Sequence, residues 1–331
     1  GLFASSYETL TLHWVTDTRD INNINYDTSL LNRCNINRNK LPDLYPSTHI
    51  LGELLSQPAK DLQLPPGLPV VTGTPDVQAA AIGSGAINDF VPHICIGTSS
   101  WLTCHLNTKK TDLFHNMASL PSGIPGKYFI ANEQETSGAC LDFLIKNVMG
   151  KHLNENEPIP EFVYNEINAF AEQSPPGNDG LIFLPWLYGE RTPVEDHNIR
   201  GGFYNLSLNH TQSHLVRAVM EGVALNTRWL LKYVEKFAKR RMDNINLIGG
   251  GAESEIWCQI MADVLNRSIQ QVKNPIHAGT RGAAAIASVA LGKSTFEQYA
   301  VNTQIANVYT PNPNCVHIYH EYFKIFINIY N

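Results

Sequence analysis

Apolar and polar positions alternate in blocks along most of this chain, short apolar runs giving way to glycine-containing turns and then to stretches with helical periodicity. That succession is the sequence sign of a layered α/β protein. Pro69-Val70-Val71-Thr72-Gly73 reads as a buried strand, followed by the alanine-rich helix Val77–Ile82 and the turn Gly83-Ser84-Gly85. His93–Ile96 and Trp101–Leu106 read as two strands of a hairpin around the polar turn Gly97-Thr98-Ser99-Ser100. Leu141, Leu144, Ile145 and Val148 fall at i, i+3, i+4 and i+7, which predicts one apolar stripe on a helix from about Ser137 to Val148. Leu181–Leu184 is a further short strand, and Leu215, Val219, Val223, Leu230 and Val234 mark the buried face of a long helix. Ile245–Ile248 enters the turn Gly249-Gly250-Gly251, and Ile256, Ile260, Val264 and Leu265 then give another amphipathic helix. Before about Asp61 the chain is rich in Asn, Asp and Thr, with short helical pieces only around Leu30 and Leu31. Cys315–Ile329, aromatic and branched, predicts a packed closing helix.

Composition narrows the class. With 331 residues, 43% hydrophobic and 16% charged, the chain can bury a core of ordinary size, in one large domain or two smaller ones. The formal charge of -6 and the absence of a Lys/Arg stripe with interleaved aromatics argue against a nucleic-acid partner. Apolar runs fall well short of the roughly 20 residues of a membrane-spanning helix, so no membrane association and a cytoplasmic location are expected. The six cysteines lie far apart without a Cys-x-x-Cys pair, and the twelve histidines show no His-x-x-x-His spacing. Reduced buried thiols and no protein-held transition metal are expected. The opening Gly1-Leu2-Phe3-Ala4 reads as the middle of a longer sequence.

Three places carry residues suited to phosphoryl transfer, which needs backbone amides around phosphate oxygens, a divalent ion and a carboxylate to take a hydroxyl proton. Gly97-Thr98-Ser99-Ser100 reads either as an ordinary hairpin turn or as an oxyanion cradle. Gly249-Gly250-Gly251-Ala252, between strand and helix, allows a nucleotide to approach the backbone at a helix N-terminus. It lacks the last glycine of the dinucleotide-binding fingerprint, where Ser254 stands, and no Walker motif occurs anywhere. Asp76, after the turn Gly73-Thr74-Pro75, reads equally as a general base at the end of a sheet or as a helix N-cap. Glu133 and Glu135 suit a paired-carboxylate hydrolase less well than a solvated loop or helix start. Tyr188–Pro193 reads as an internally bonded turn that orders a loop.

Taken in order, Gly73-Thr74-Pro75-Asp76, the Gly97 turn, Gly189-Glu190-Arg191-Thr192-Pro193, the stretch Gly201–Gly222 and the Gly249–Ala252 turn with Trp257 behind it resemble the FGGY carbohydrate kinases, xylulokinases above all. His214, Leu215, Ala218 and Glu221 match the family's second signature. The resemblance implies an actin-like, ribonuclease H-like α/β fold of two domains with nucleotide in the cleft between them. Residues 1–88 would be the closing part of an incomplete N-terminal, sugar-binding domain and residues 89–331 the nucleotide-binding domain. It further implies ATP and Mg2+ as cofactors and Asp76 as the base that deprotonates the sugar hydroxyl. Gly97, Thr98 and Ser99 would lie near the ATP phosphates, and Gly138, Gly250, Gly251 and Ala252 would border the nucleotide. The acceptor would be D-xylulose or a related ketose or polyol, with gluconokinase or ribulokinase specificity, or a non-catalytic sugar- or nucleotide-binding homologue, as the alternatives. A homodimer is implied as well. Three departures stand out: Asn205 replaces a signature glycine, Val77 follows Asp76 where a polar residue is usual, and the family's N-terminal phosphate-binding turn is absent.

Overall fold

A single eight-stranded sheet organises the computed structural model, which describes residues 2–150 and 157–331. Its strands, numbered along the chain, are β1 (Pro92–Ile96), β2 (Ser100–Leu106), β3 (Thr111–Asp112), β4 (Met117–Pro121), β5 (Tyr128–Ala131), β6 (Asn244–Ile248), β7 (Ser268–Val272) and β8 (Ile305–Tyr309). They lie in the order β8-β7-β6-β1-β2-β5-β4-β3. β7, β6 and β1 run parallel, and every other neighbouring pair is antiparallel. The expected hairpin around Gly97 is present, with Ile96 opposite Ser100.

Around the sheet pack α1 (Asp76–Gly83), α2 (Gly138–Phe143), α3 (Glu161–Gln173), α4 (Gln212–Ala238), α5 (Glu255–Leu265), α6 (Ala278–Ala290), α7 (Phe296–Val301) and α8 (Pro313–Tyr330). Strand alternation sorts the central residues between two layers. Ile94, Ile96, Leu102, Ile245 and Leu247 join the main core with α2 to α5 and α8. Cys95, Ile248 and Val272 pack instead with Ala80 of α1 and Ala278 of α6. His93, fully buried in β1, accepts from Trp101 Nε1 at 3.0 Å and meets Thr103 Oγ1 at 3.1 Å through Nδ1. Burial pushes its pKa down to about 3, so it is a neutral sheet histidine.

Local chemistry explains several element ends. Thr211 and His214 form a reciprocal cap at the start of α4, and Lys239 in the left-handed region, φ 53°, ends it. Ser254 caps α5 by accepting from the Trp257 amide at 3.2 Å. Asn205, in the place of the signature glycine, takes φ 66°, a conformation asparagine tolerates better than most residues. α2 runs on into a π-helical turn at Leu144–Val148; Leu141, Leu144 and Ile145 of the expected apolar stripe are buried, while Val148 is exposed.

One strand departs from expectation. Pro69–Val71 is not buried: it pairs only with Ile50–Glu53 in a two-stranded ribbon, with Pro69 and Val70 exposed. An apolar triplet between prolines cannot by itself distinguish a core strand from an edge ribbon, because proline removes the ladder donor that central strands need.

Candidate active site

The parallel strands β1, β6 and β7 bring their C-terminal ends to one edge of the sheet, and there the two glycine turns meet. In open α/β sheets that edge is where ligands bind. Gly249, at φ 89°, sits so close to β1 that a Cβ would lie 2.5 Å from the Ile96 carbonyl oxygen and 3.0 Å from Cys95 Sγ. Its amide donates to the Pro275 carbonyl at 3.3 Å, tying the loop after β7 to the same edge. The first turn of α2 closes over the other turn: Gly138 N donates to the Gly97 carbonyl at 2.8 Å and Ser137 N to the Thr98 carbonyl at 2.9 Å. A Cβ at Gly138 would stand 2.6 Å from that Gly97 oxygen. Gly97, Thr98, Ser99, Gly138 and Gly249–Ala252 therefore form one constellation, with Thr98 exposed at its surface.

Within the glycine run the residues face different ways. Gly250 is exposed, and a Cβ there would meet nothing within 4 Å. Gly251 faces inward, where a Cβ would overlap the Ile96 side chain, and Ala252 is fully buried. The Ala252 carbonyl accepts from Gln271 Nε2 at 2.7 Å. The open backbone surface suited to a ligand is thus at Gly250, while Gly251 and Ala252 fix the turn against the sheet.

Asp76 is the first residue of α1 and is exposed. The helix is preceded by Pro75 in the cap position, and among the described residues the Asp76 carboxylate accepts only from the adjacent Val77 amide, at 2.8 Å. This differs from an N-cap, whose side chain reaches two or three residues ahead. It also follows an exposed ribbon rather than the end of the main sheet. Burial first and the Asp76 charge second push the Cys95 thiol up to about 12. Cys95 is the same residue that abuts Gly249.

A network that the sequence did not signal joins this edge to the Gly189–Pro193 loop. Ser99 Oγ donates to Glu133 Oε1 at 3.0 Å, Arg191 bridges Glu133 at 2.5 Å and Glu135 at 2.7 Å, and the Glu133 amide donates to Thr192 Oγ1 at 3.0 Å. The two glutamates are partly buried ion-pair partners, not a solvated loop. Their bond to Arg191 spans more than fifty residues, so only complementary charge could have hinted at it. Glu190 is buried beside them, accepting from Asn226 Nδ2 at 2.5 Å, Arg191 N at 2.8 Å and Glu135 N at 3.1 Å. Burial, the largest influence, holds its carboxyl up at about 7. The loop is internally bonded, as its sequence suggested.

Among the described residues no three His, Cys, Asp or Glu side chains converge as a metal cage. Magnesium does not require one, since it is held by one or two carboxylates together with nucleotide phosphates. The open face of Gly250 and the turn at Gly97–Ser99 fit a nucleotide lying against backbone. No helix among the described residues is long and apolar enough to cross a membrane.

The architecture is the actin-like ATPase fold of sugar kinases. Solved structures that share it include ligand-bound xylulose kinase from Lactobacillus acidophilus, with TM-score 0.86 and 23% identity, covering 99% of this chain and 64% of that one. Plasmodium falciparum glycerol kinase with ADP gives TM-score 0.79 at 18% identity, covering 99% and 63%. Residues 93–291 match the C-terminal domain of the FGGY family of carbohydrate kinases and residues 13–83 its N-terminal domain. The chain belongs to the FGGY family. Xylulose kinase of Staphylococcus epidermidis is 31% identical over 291 residues, 87% of this chain, and gluconokinase of Bacillus subtilis is 26% identical over 95% of it. The chain spans 56% and 61% of the lengths of those two relatives.

Proposed function

We propose that this protein transfers the γ-phosphoryl group of ATP to a hydroxyl of a small sugar, D-xylulose or a related ketose or polyol. The observation that carries the reading is the meeting of the Gly97 and Gly249 turns at the C-terminal edge of the parallel strands, with Gly138 closed over the first of them. Asp76 would accept the proton of the attacking hydroxyl, as its exposed and singly bonded carboxylate allows. Amides of the Gly97–Ser99 turn would face the transferring group, and the nucleotide would lie along Gly250 beside Gly138. Bound magnesium would neutralise the phosphate charge. Glu133 and Arg191 would hold Ser99 in place rather than act on substrate. The N-terminal unit would end near residue 88, a division favoured by the gap between the two matched ranges. A cytoplasmic location and a homodimer belong to the same proposal.

Gluconate is the second acceptor to consider, given the gluconokinase relatives. A panel of D-xylulose, D-gluconate, L-ribulose and glycerol, assayed with ATP and magnesium, separates these acceptors. Asp76→Asn should lower kcat by about 10²–10⁴-fold with ADP affinity retained. Unchanged turnover in that variant would remove Asp76 from the role. Retained ADP binding with no acceptor phosphorylated would favour a non-catalytic homologue.

A further inference from the structure

Where β7 leaves the sheet, Lys273 and Asn274 border a half-open cavity of about 460 Å³, lined also by Arg281 of α6 and by Tyr299, Asn302, Thr303 and Gln304 around the end of α7. The nucleotide constellation contributes no residue to it. Two cations and several neutral polar groups line the cavity, and no carboxylate does.

Neutral partners hold both cations. Lys273 Nζ donates to Gln304 Oε1 at 3.0 Å, and the neighbouring backbone is fixed by Lys273 N donating to the Gln304 carbonyl at 2.9 Å. Arg281 spends Nε on the Gly83 carbonyl at 3.2 Å and Nη1 on the Asn274 carbonyl at 2.8 Å. Its Nη2 is buried with no hydrogen-bond partner among the described residues. A guanidinium carries its charge at every physiological pH, and its planar donors match oxyanions. Without an acid to neutralise them, two positive charges on a partly enclosed wall concentrate anions.

We propose that this cavity binds a small phosphate-class oxyanion, held by Lys273 Nζ and the charge of the Arg281 guanidinium with the Asn302 amide beside them. The phosphate is either free or carried by a small sugar phosphate. Arg281 already joins the last carbonyl of α1 to the loop whose Pro275 carbonyl receives Gly249, so an anion beside its guanidinium stiffens that joint and stabilises the fold.

The test is titration of the purified protein with inorganic phosphate at constant ionic strength, read by thermal denaturation and by ³¹P line broadening, and repeated with glucose 6-phosphate. Saturable stabilisation is expected, weakened about tenfold in Lys273→Gln, the loss of one charge-assisted hydrogen bond. Restoration in Lys273→Arg would show that the charge is what matters. Arg281→Gln should weaken binding further; Lys273 is exposed, so its variants carry the test if Arg281→Gln does not fold. Tighter binding of glucose 6-phosphate identifies a sugar phosphate as the ligand, and equal affinity identifies free phosphate. Phosphate binding unaltered by Lys273→Gln, as it would be at the Gly97 turn, overturns the proposal, as does a shift that chloride reproduces.

Discussion

Gly83 and Gly282 let two helices touch backbone to backbone. A Cβ on Gly282 would overlap the Ala79 carbonyl, and one on Gly83 would overlap the Ala278 carbonyl, so neither partner is a flexible side chain that can yield. Alanine at either position should cost more than the roughly 1–3 kcal/mol typical of overpacking, and chemical denaturation would measure it. The glycine turn behaves differently from one residue to the next. Gly250→Val should leave the melting temperature nearly unchanged and weaken ADP binding, whereas Gly251→Val should lower stability first by striking Ile96. Two buried carboxyls set a pH response. Burial raises both Glu8 and Glu190 to about 7. A folded-state value above the unfolded one means that the folded protein holds the proton more tightly. The stabilisation is therefore full below about pH 4.5 and is lost as pH rises through 7, by up to a few kcal/mol in total. Glu8→Gln should flatten part of that slope in denaturation curves taken from pH 5 to 8.

At the scale of elements, α4 is anchored to α8 and to the segment before Leu181 through one buried cluster. Glu221 accepts from Arg217 Nε at 2.7 Å, from Tyr319 at 2.6 Å and from Asn178 Nδ2 at 2.8 Å. Arg217 also donates to the Ala171 carbonyl of α3 at 3.3 Å. The signature glutamate thus joins three helices and touches none of the glycine turns. Glu221→Gln strands a buried arginine and should cost about 3–5 kcal/mol in denaturant unfolding, while ADP affinity measured on the folded fraction stays unchanged. The elements with a clear apolar stripe, α4 and α5 especially, were legible in the sequence because such a stripe is local, whereas β3, β4, β5, β7, β8, α3, α6 and α7 were not read from it. The exposure of Pro69–Val71 was not, because burial is a property of neighbours that the triplet does not encode.

For the molecule as a whole, ligand binding and stability are linked. ADP at about one hundred times its dissociation constant should stabilise the fold by about 2.7 kcal/mol, and Asp76→Asn should show the same rise in melting temperature. A nucleotide held by backbone at Gly97 and Gly250, as proposed, would not depend on that carboxylate. The sequence alone determined the alternation of strands, glycine turns and helices and the residue types on which phosphoryl transfer would draw, since each depends on spacings of a few residues. Tertiary structure alone decided that the Gly97 and Gly249 turns share an edge, that Gly250 rather than Gly251 faces outward, and that Glu133 pairs with Arg191. The physical reason is that parallel strand order and helix packing join segments fifty to two hundred residues apart, and the free energy of those contacts depends on shape and burial that no short stretch of sequence contains.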